Sequence, residues 1–228
     1  MCGRFTITVT IGIAERFGVA HCEIPDLPRY NIAPSQAIPV ILRQEAGDRA
    51  CVPMRWGLIP SWAKDPAAVR PAVNARAETL DERPTFRTPL ARHRCLVPAS
   101  GFYEWKKTGK TAFPYYIHRK DDEIFAFAGL YDLWRSPEGE MTRTCVIITT
   151  RPNRVVSRYH DRMPAILMLE DEDRWIDPRP LSADERRELL APYPDDLLEV
   201  YQVSTAVNKP DAEGAHLIAQ SRTGTLPI

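Results

Sequence analysis

Apolar and polar residues alternate at the beginning of the chain, and this alternation predicts a β-strand. Phe5, Ile7 and Val9 would occupy one face of the strand and the intervening threonines the other. The apolar spacing over 11–17 then predicts a short helix, which Gly18 is placed to end. The N-terminal region is therefore expected to form a strand followed by one or two helical turns.

Further along the chain, the patterning predicts more strands than helices. Strands are expected over 38–43, 49–56, 113–118, 124–130, 142–149 and 200–203, with a strand pair around Gly101 within 95–105. A turn at Gly47 and Asp48 would join the first two of these strands. The strands over 113–118 and 124–130 are expected to form a hairpin.

Helices are expected to be few and short, because the 21 prolines are spread over the whole length. One helix is expected to begin within 75–80, and another spans 182–190, where Ser182 and Glu185 form a capping box. No composition break, flexible linker or internal repeat divides the chain. We therefore expect a single, irregular α+β domain over 1–228.

The composition excludes several classes of protein. Thirty basic residues balance 30 acidic ones, and 44% of residues are hydrophobic, which excludes a disordered, collagenous or coiled-coil chain. No apolar run approaches the roughly 18 residues of a membrane helix, and polar Thr6, Thr8 and Thr10 interrupt the N-terminus where a signal peptide would be apolar. We therefore expect a cytoplasmic protein without a membrane partner.

Cysteine and histidine usage favours a reduced protein without a metal. The cysteines are odd in number, widely spaced and without a C-x-x-C pair: Cys2, Cys22, Cys51, Cys95 and Cys145. This spacing argues against a disulfide framework and against a thiolate zinc site, and the five histidines form no cluster. We expect no metal and no other cofactor, with Cys95 and Cys145 as small core residues.

Charge is unevenly distributed although it sums to zero. Six arginines accompany three acids over 69–94 and four accompany one acid over 151–162, whereas eleven acids accompany four arginines over 170–199. The basic stretches would suit phosphate contacts if they form one groove, and dispersed surface charge is the alternative. The acidic stretch is interpreted as a solvated face.

Cys2 stands out because it follows the initiator methionine. Removal of Met1 would leave an α-amine and a thiol on one residue, with ordinary pKa values of about 8 and about 8.5. Both nucleophiles are partly reactive near neutral pH, so an aldehyde would form an imine with the amine, and the thiol would then close a thiazolidine ring. The alternative is that Cys2 is incidental.

Three other polar residues are candidates for acid–base chemistry or positioning. Glu104 lies in an aromatic strand segment that would desolvate its carboxyl and raise its pKa, unless it forms a structural ion pair. His160, followed by Asp161 and Arg162, suits either a positioned proton donor or a structural histidine. Asn74 would either cap a following helix or hold a nucleophile by a hydrogen bond.

Seven short motifs occur in the order found in one known family. They are MCGRF at 1–5, YNIAP at 30–34, WGLIP at 56–60, NARAET at 74–79, RCLVP at 94–98, GFYEW at 101–105 and HDRMP at 160–164. Through them the chain resembles the SOS response-associated peptidase (SRAP) family from Cys2 to at least Asn208. The resemblance implies an irregular α+β domain around a strand-rich, barrel-like mixed sheet with short helices.

The resemblance also implies a sensor of abasic sites in single-stranded DNA that acts in the DNA damage response. Cys2 would form a stable thiazolidine crosslink with the ring-opened sugar, and Asn74 would hold the two in place. Glu104 would move protons during ring opening and imine formation, and His160 would assist proton transfer to the sugar oxygens. If thiazolidine closure is slow, β-elimination of the 3′ phosphate from the imine would give a lyase activity.

A set of residues is expected to contact the DNA. The resemblance assigns phosphate or nucleotide contacts to Arg4, Asn31, Arg76, Thr149 and Arg162. Trp62, in a proline-rich loop, is expected to stack on a base, which is worth about 1–3 kcal/mol, and Arg87 is expected to contact the backbone. Trp56 is expected in the core. We expect the protein to be a monomer that associates with the nucleoid when it binds DNA.

Two other functions are consistent with the same residues. The first is an N-terminal-nucleophile thiol peptidase that cleaves its own bond between Met1 and Cys2, with His160, Asn74 and Glu104 as further parts. The second is a binding module without catalysis, for which Cys2 would be incidental. Covalent capture of abasic DNA ranks first, the peptidase second and passive binding third.

Overall fold

The computed structural model describes residues 2–8, 12–22, 28–44 and 47–221, and all structural statements concern these residues. The strands are β1 (Phe5–Ile7), β2 (Arg29–Ile32), β3 (Ala37–Arg43), β4 (Arg49–Trp56), β5 (Asn74–Arg76), β6 (Arg94–Ala99), β7 (Gly101–Thr108), β8 (Thr111–Arg119), β9 (Phe125–Arg135), β10 (Met141–Thr150), β11 (Met163–Pro164), β12 (Ile166–Leu167) and β13 (Leu198–Gln202). The α-helices are α1 (Ile13–Phe17), α2 (Pro84–Arg92), α3 (Glu172–Ile176) and α4 (Ala183–Leu189). None of these helices is long and apolar enough to cross a membrane.

Five strands close into a barrel. β10, β4, β3, β6 and β9 are hydrogen-bonded in that order, and β9 pairs back with β10. These pairings are antiparallel except for the parallel pair of β10 with β4. β5, β11 and β12 pair with barrel strands at the margins. The expected α+β fold, with a barrel-like mixed sheet and short helices, is therefore confirmed.

A second sheet packs against the barrel through buried aromatic side chains. Its strand order is β13, β8, β7, β1 and β2, and all neighbours are antiparallel. The Phe5 ring of β1 lies edge-on to Trp56 of β4 and Phe127 of β9, at centroid distances of 5.2 and 5.8 Å. Because all three side chains are buried, this contact fastens β1 to the barrel. Trp56 thus lies in the core, as predicted.

Two strand pairings differ from the sequence prediction. β6 and β7 flank Ser100 but lie in different sheets, because the chain crosses there from the barrel to the second sheet. β8 pairs with β7 and not with β9, so the predicted hairpin of 113–118 with 124–130 is wrong. The hairpin turn lies instead at Gly109, whose φ of +61° suits glycine.

The region that follows the Trp56 loop also differs from its prediction. Asn74 begins β5, which runs parallel to β10 with Asn74 opposite Ile147. Ala77–Thr79 is a single 3₁₀ turn, and Arg76 precedes it at the cap position. Asn74 is therefore not a helix cap. The pattern also missed α2, which begins at Pro84, a residue that suits the first helical turn.

The remaining N-terminal and C-terminal predictions largely hold. α1 ends at Gly18, whose left-handed φ is 63°, and the capping box of Ser182 with Glu185 opens α4. Val9 and Ile11 lie outside the described residues. The polar face predicted for β1 does not reach solvent, because Thr6 is fully buried and its hydroxyl lies 2.8 Å from Tyr116 Oη.

The cysteines correct one expectation and agree with another. Cys22 and Cys51 form a disulfide, contrary to the prediction of thiols only, with Cα atoms 4.9 Å apart. The bond links the segment after α1 to β4. Cys2, Cys95 and Cys145 are free and buried, as the core assignment of the last two requires.

Candidate functional site

The position of Cys2 is set by the pairing of β1 with β7. Phe5 lies opposite Phe102, and the N–H of Tyr103 continues the ladder by donating to Arg4 O at 3.0 Å. If this register continues toward the N-terminus, Cys2 lies beside the part of β7 that contains Glu104. Cys2 is fully buried, and its Sγ lies 3.8 Å from Arg4 O.

The Cys2 thiol is neutral at rest. Burial raises its pKa well above the ordinary value, and the negative charge of Glu104 raises it further. A thiolate is the nucleophilic form of cysteine in thiol peptidases. The environment of Cys2 therefore disfavours the attack with which a thiol peptidase begins.

Asn74 holds the Cys2 backbone from the barrel side. Its Nδ2 donates a hydrogen bond of 2.8 Å to Cys2 O across 72 residues of sequence. Its Oδ1 is buried and has no partner among the described residues. Asn74 thus positions Cys2 and keeps one acceptor for a group that enters the site.

Glu104 is a buried carboxyl with unmet hydrogen-bonding capacity. Its side chain is 2% exposed, and its Oε1 has no partner among the described residues. Burial raises the pKa of Glu104 to about 7, and the charge of Asp161 acts in the same direction. Glu104 can therefore donate or accept a proton near neutral pH.

His160 reaches the same region through aromatic packing. Tyr115 of β8 lies opposite Glu104 in the β7–β8 pair, and its ring packs on Tyr159 with centroids 4.4 Å apart. Lys106, on the same face of β7 as Glu104, lies over the Tyr159 ring at 5.7 Å. These contacts bring the loop containing His160 beside β7.

His160 Nδ1 has two partners of opposite kind. The N–H of Arg162 donates to it at 3.0 Å, and Asp161 Oδ1 lies 2.9 Å away. Neutral Nδ1 accepts from Arg162, whereas protonated Nδ1 donates to Asp161. Partial burial lowers the pKa of His160, which favours the neutral form, and either protonation state has a partner in place.

Five of the seven residues predicted to contact DNA are either clearly exposed or clearly buried. Arg76, Arg87 and Trp62 are exposed, and 61% of the Trp62 surface is accessible. Thr149 and Asn31 are buried, at 0% and 1% exposure. The first group is available to a ligand at the surface, whereas the second is bonded within the protein.

Arg4, which is partly exposed, forms a pair with buried Asn31 that joins the start of the chain to its C-terminal region. Arg4 Nη1 donates to Asn31 Oδ1 at 2.7 Å and to Val207 O at 3.0 Å. Asn31 Nδ2 donates to Lys209 O and Ala212 O at 2.8 and 2.9 Å. Both side chains thereby support β1, which leads to Cys2.

Trp62 and Arg87 lie on elements separate from the Cys2 group. The loop of Trp62 is anchored at Ser61, whose N–H donates to Asp132 Oδ2 at 2.8 Å. Arg87 lies on α2, and its Nε donates to Asp81 O at 3.1 Å. The structure therefore brings the catalytic candidates together, whereas these two expected DNA contacts lie on other elements, the loop after β4 and α2.

Arg76, Thr149 and Arg162 lie together at the edge formed by β5, β10 and β11. Thr149 is opposite Arg76 on one side and Pro164 on the other. Arg162 Nη2 donates to Thr149 O at 2.6 Å. The same edge holds Glu78, which the sequence patterns did not single out although it lies within the NARAET motif.

No group of three or more potential metal ligands occurs in the described part of the chain. Two acids near predicted site residues, Glu78 and Asp161, were not singled out as candidates from the sequence. Their role depends on which basic group each carboxylate meets in the fold, and sequence adjacency alone does not give this.

Comparison with known proteins matches this chain to one family. The model of the family described as SOS response associated peptidase (SRAP) matches residues 1–210. Abasic site processing protein YoqW of Bacillus subtilis is 46% identical over 223 residues, which cover 96% of this chain and 99% of that protein. Abasic site processing protein HMCES of Rattus norvegicus is 34% identical over 219 residues, covering 79% of this chain and 62% of its own.

A solved structure has the same fold. The crystal structure of a protein from Bacteroides thetaiotaomicron matches with a TM-score of 0.86 at 31% identity, covering 96% of this chain and 100% of that one. A protein from Bordetella bronchiseptica matches with a TM-score of 0.77 at 26% identity, covering 89% and 100%.

Proposed function

The chain belongs to the SOS response-associated peptidase (SRAP) family, and from this premise we propose that it captures abasic sites in single-stranded DNA covalently through Cys2. The names of its relatives, abasic site processing proteins, support the substrate. The enclosure of Cys2 beside Glu104, a buried carboxyl with a pKa of about 7, supports the covalent step.

The reaction begins with the sugar and the α-amine that removal of Met1 exposes. Opening of the furanose breaks the bond between C1′ and O4′ and leaves an aldehyde at C1′. The amine of Cys2 adds to C1′, and loss of one water gives the imine. The thiol sulfur then adds to the carbon of the protonated imine and gives up its proton to a base, which yields the thiazolidine with its N–H.

The order of these steps follows from the neutral thiol. Because burial keeps the thiol protonated, the amine is the better first nucleophile. Protonated Glu104 supplies the proton that leaves with water, and the resulting carboxylate accepts the thiol proton as the ring closes.

The other candidate residues have supporting roles in the proposed reaction. His160 would protonate O4′ as the sugar opens, and Asn74 fixes the Cys2 carbonyl so that the amine meets C1′. Arg76, Arg87 and Arg162 would bind phosphates and Trp62 would stack on a base, while Arg4, Asn31 and Thr149 hold the site in place. If ring closure is delayed, the imine loses the 3′ phosphate by β-elimination, which is a lyase activity.

The proposed reaction needs no cofactor, and we propose that the protein is a cytoplasmic monomer that associates with the nucleoid when it binds DNA. No second subunit is required, because Cys2, Asn74, Glu104 and His160 all come from one chain.

A denaturing gel tests the proposal. Purified protein with Met1 removed is mixed with a single-stranded oligonucleotide that contains one abasic site. Wild type is expected to give a heat-stable shifted band, and Cys2→Ala none. Cys2→Ser keeps the amine but forms no thiazolidine, so it should replace the shifted band with strand cleavage. Cys145→Ala, which removes another buried free thiol, is the matched control and should crosslink like wild type.

The competing functions predict different results. A shifted band with Cys2→Ala would exclude Cys2 as the crosslinking residue and leave a binding module. Absence of any band with wild type, while Met1 is lost without an added aminopeptidase, would instead support the peptidase.

A further inference from the structure

Arg162 and Glu78 form a two-point ion pair at the edge of the site. Arg162 Nη1 lies 2.8 Å from Glu78 Oε1, and Nη2 lies 2.8 Å from Oε2. The Arg162 side chain is 11% exposed and that of Glu78 is 43% exposed. This is the paired geometry in which arginine binds either a carboxylate or a phosphate.

Two further groups of Arg162 are engaged on the protein, whereas its Nε is buried and has no hydrogen-bond partner among the described residues. Its Nη2 donates to Thr149 O at 2.6 Å, and its backbone N–H donates to His160 Nδ1 at 3.0 Å. The guanidinium thus faces outward only through the edge that Glu78 covers. A phosphate can bind this edge only by displacing the carboxylate.

We propose that Glu78 is an internal counterion that occupies the phosphate position of Arg162, so that DNA must displace it to reach the site. This inference rests on the proposed function, in which Arg162 binds a phosphate. Displacement exchanges one ion pair for another, and Arg162 therefore adds little net affinity for DNA in general. Affinity would come instead from DNA that also reaches the covalent centre, and Glu78 would act as a specificity determinant.

Other arginines near Glu78 can bind its carboxylate after DNA has displaced it from Arg162. Arg76, opposite Thr149 in the β5–β10 pair, is exposed. Arg151 is also exposed, and its charge, after the hydrogen bond from Arg162, helps to lower the pKa of Glu78. Glu78 therefore remains ionised near neutral pH and can exchange partners within a group of arginines without being buried unpaired.

The test measures binding of an undamaged, fluorescently labelled oligo-dT across a salt series. Release of counterions from single strands changes log K by about 0.7 per log unit of salt for each phosphate contact. Glu78→Gln should bind about threefold to tenfold more tightly at low salt, with a slope steeper by about 0.7, because Arg162 becomes a full phosphate contact. Glu82→Gln, which removes an exposed carboxylate from the same segment, is the matched control for net charge and should change affinity less.

A second pair of variants isolates Arg162. In an Arg162→Ala background, Glu78→Gln should give no more gain than Glu82→Gln, since the displaced partner is gone. Thermal melts of each variant establish that the chain is folded.

The outcomes separate this inference from the proposed function. If wild type crosslinks abasic DNA but Glu78→Gln binds oligo-dT equally or more weakly, Glu78 merely braces Arg162 and the inference is overturned. An equal gain from Glu82→Gln would overturn it as well, because the effect would then be one of net charge. If wild type neither binds oligo-dT nor crosslinks abasic DNA, the proposed function falls and this inference falls with it.

Discussion

Glu104 combines deep burial with a carboxyl oxygen that has no partner among the described residues. Such a group is costly to the folded state when it is ionised, because burial removes water without supplying a full set of hydrogen-bond donors. Burial of the Glu104 carboxyl therefore lowers the stability of the folded state at the group that the proposed mechanism uses to transfer protons. This pattern is typical of catalytic groups, whose pKa values are shifted toward the working pH.

The cost of Glu104 predicts a pH-dependent gain from Glu104→Gln. The pKa of Glu104 rises from an ordinary 4.5 to about 7 in the fold. Between these values the unfolded chain has lost the proton that the folded chain keeps, so wild-type stability falls as pH rises through this window. At about 1.4 kcal/mol for each pH unit, Glu104→Gln should be more stable than wild type by about 3 kcal/mol at pH 8, and the two should converge near pH 4.5.

Urea unfolding at several pH values measures this difference, and the crosslinking assay measures the loss of function. Removing the acid–base group should slow crosslinking by about 10²-fold or more. A stability difference that is constant from pH 4.5 to pH 8 would contradict a raised pKa at Glu104.

At the residue scale, the sequence motifs predict a chemistry because chemistry requires particular side chains. The aromatic setting of Glu104 already implied desolvation, and the position of Cys2 implied an aminothiol. Glu78 was missed because its significance depends on Arg162, 84 residues away in sequence. Asn31 and Thr149 were expected to contact nucleotides, but their burial depends on packing that no local pattern encodes.

At the scale of elements, Gly101 permits β1 and β7 to lie close to β8. A Cβ atom added at Gly101 would clash with the side chain of Tyr116, closest to its Cζ and Oη and 2.6 Å from its Cε2. Tyr116 is buried and lies 2.8 Å from the hydroxyl of Thr6 on β1. The glycine therefore sets the packing of the strand that leads to Cys2.

Gly101→Ala is expected to destabilise the protein by about 1–3 kcal/mol, because overpacking forces the ring or a strand to move. It should also slow crosslinking, since displacement of β1 moves Cys2. Urea unfolding gives the first quantity and the denaturing gel the second. Adding Tyr116→Val to Gly101→Ala removes the ring and should recover part of the crosslinking rate. If Gly101→Ala alone changes neither the stability nor the crosslinking rate, this account is refuted.

The strands themselves were predictable, but their partners were not. Alternation and β-branched runs located β3, β4 and β10 nearly to the residue. Pairing is decided by turns and by long-range contacts, and the turn at Gly109 reassigned β8 from β9 to β7. The parallel pair of β5 with β10 has no local signature, although it is the pair that carries Asn74 to Cys2.

At the scale of the whole molecule, the disulfide between Cys22 and Cys51 predicts a thiol count. Alkylation of the denatured, unreduced protein should modify three of the five cysteines, namely Cys2, Cys95 and Cys145. Prior reduction should raise the number to five, and mass spectrometry distinguishes the two. Five modified cysteines without reduction would exclude the disulfide.

The odd number of cysteines argued against a disulfide, because composition does not show which cysteines lie close together in the fold. The fold divides them instead: two meet at the bridge between Cys22 and Cys51, and three lie in separate buried places. A barrel and short helices were accessible from the sequence because prolines and strand patterns are local, whereas this division depends on the three-dimensional path of the chain.

The site around Cys2 draws its parts from four distant stretches of sequence. A ribosome makes Cys2 well before Asn74, Glu104 and His160, so the growing chain carries its thiol for most of its synthesis without the walls that bury it. During that interval no neighbouring carboxyl is placed to move protons and no amide holds the backbone. Only after His160 has been made can the proposed reaction centre be complete.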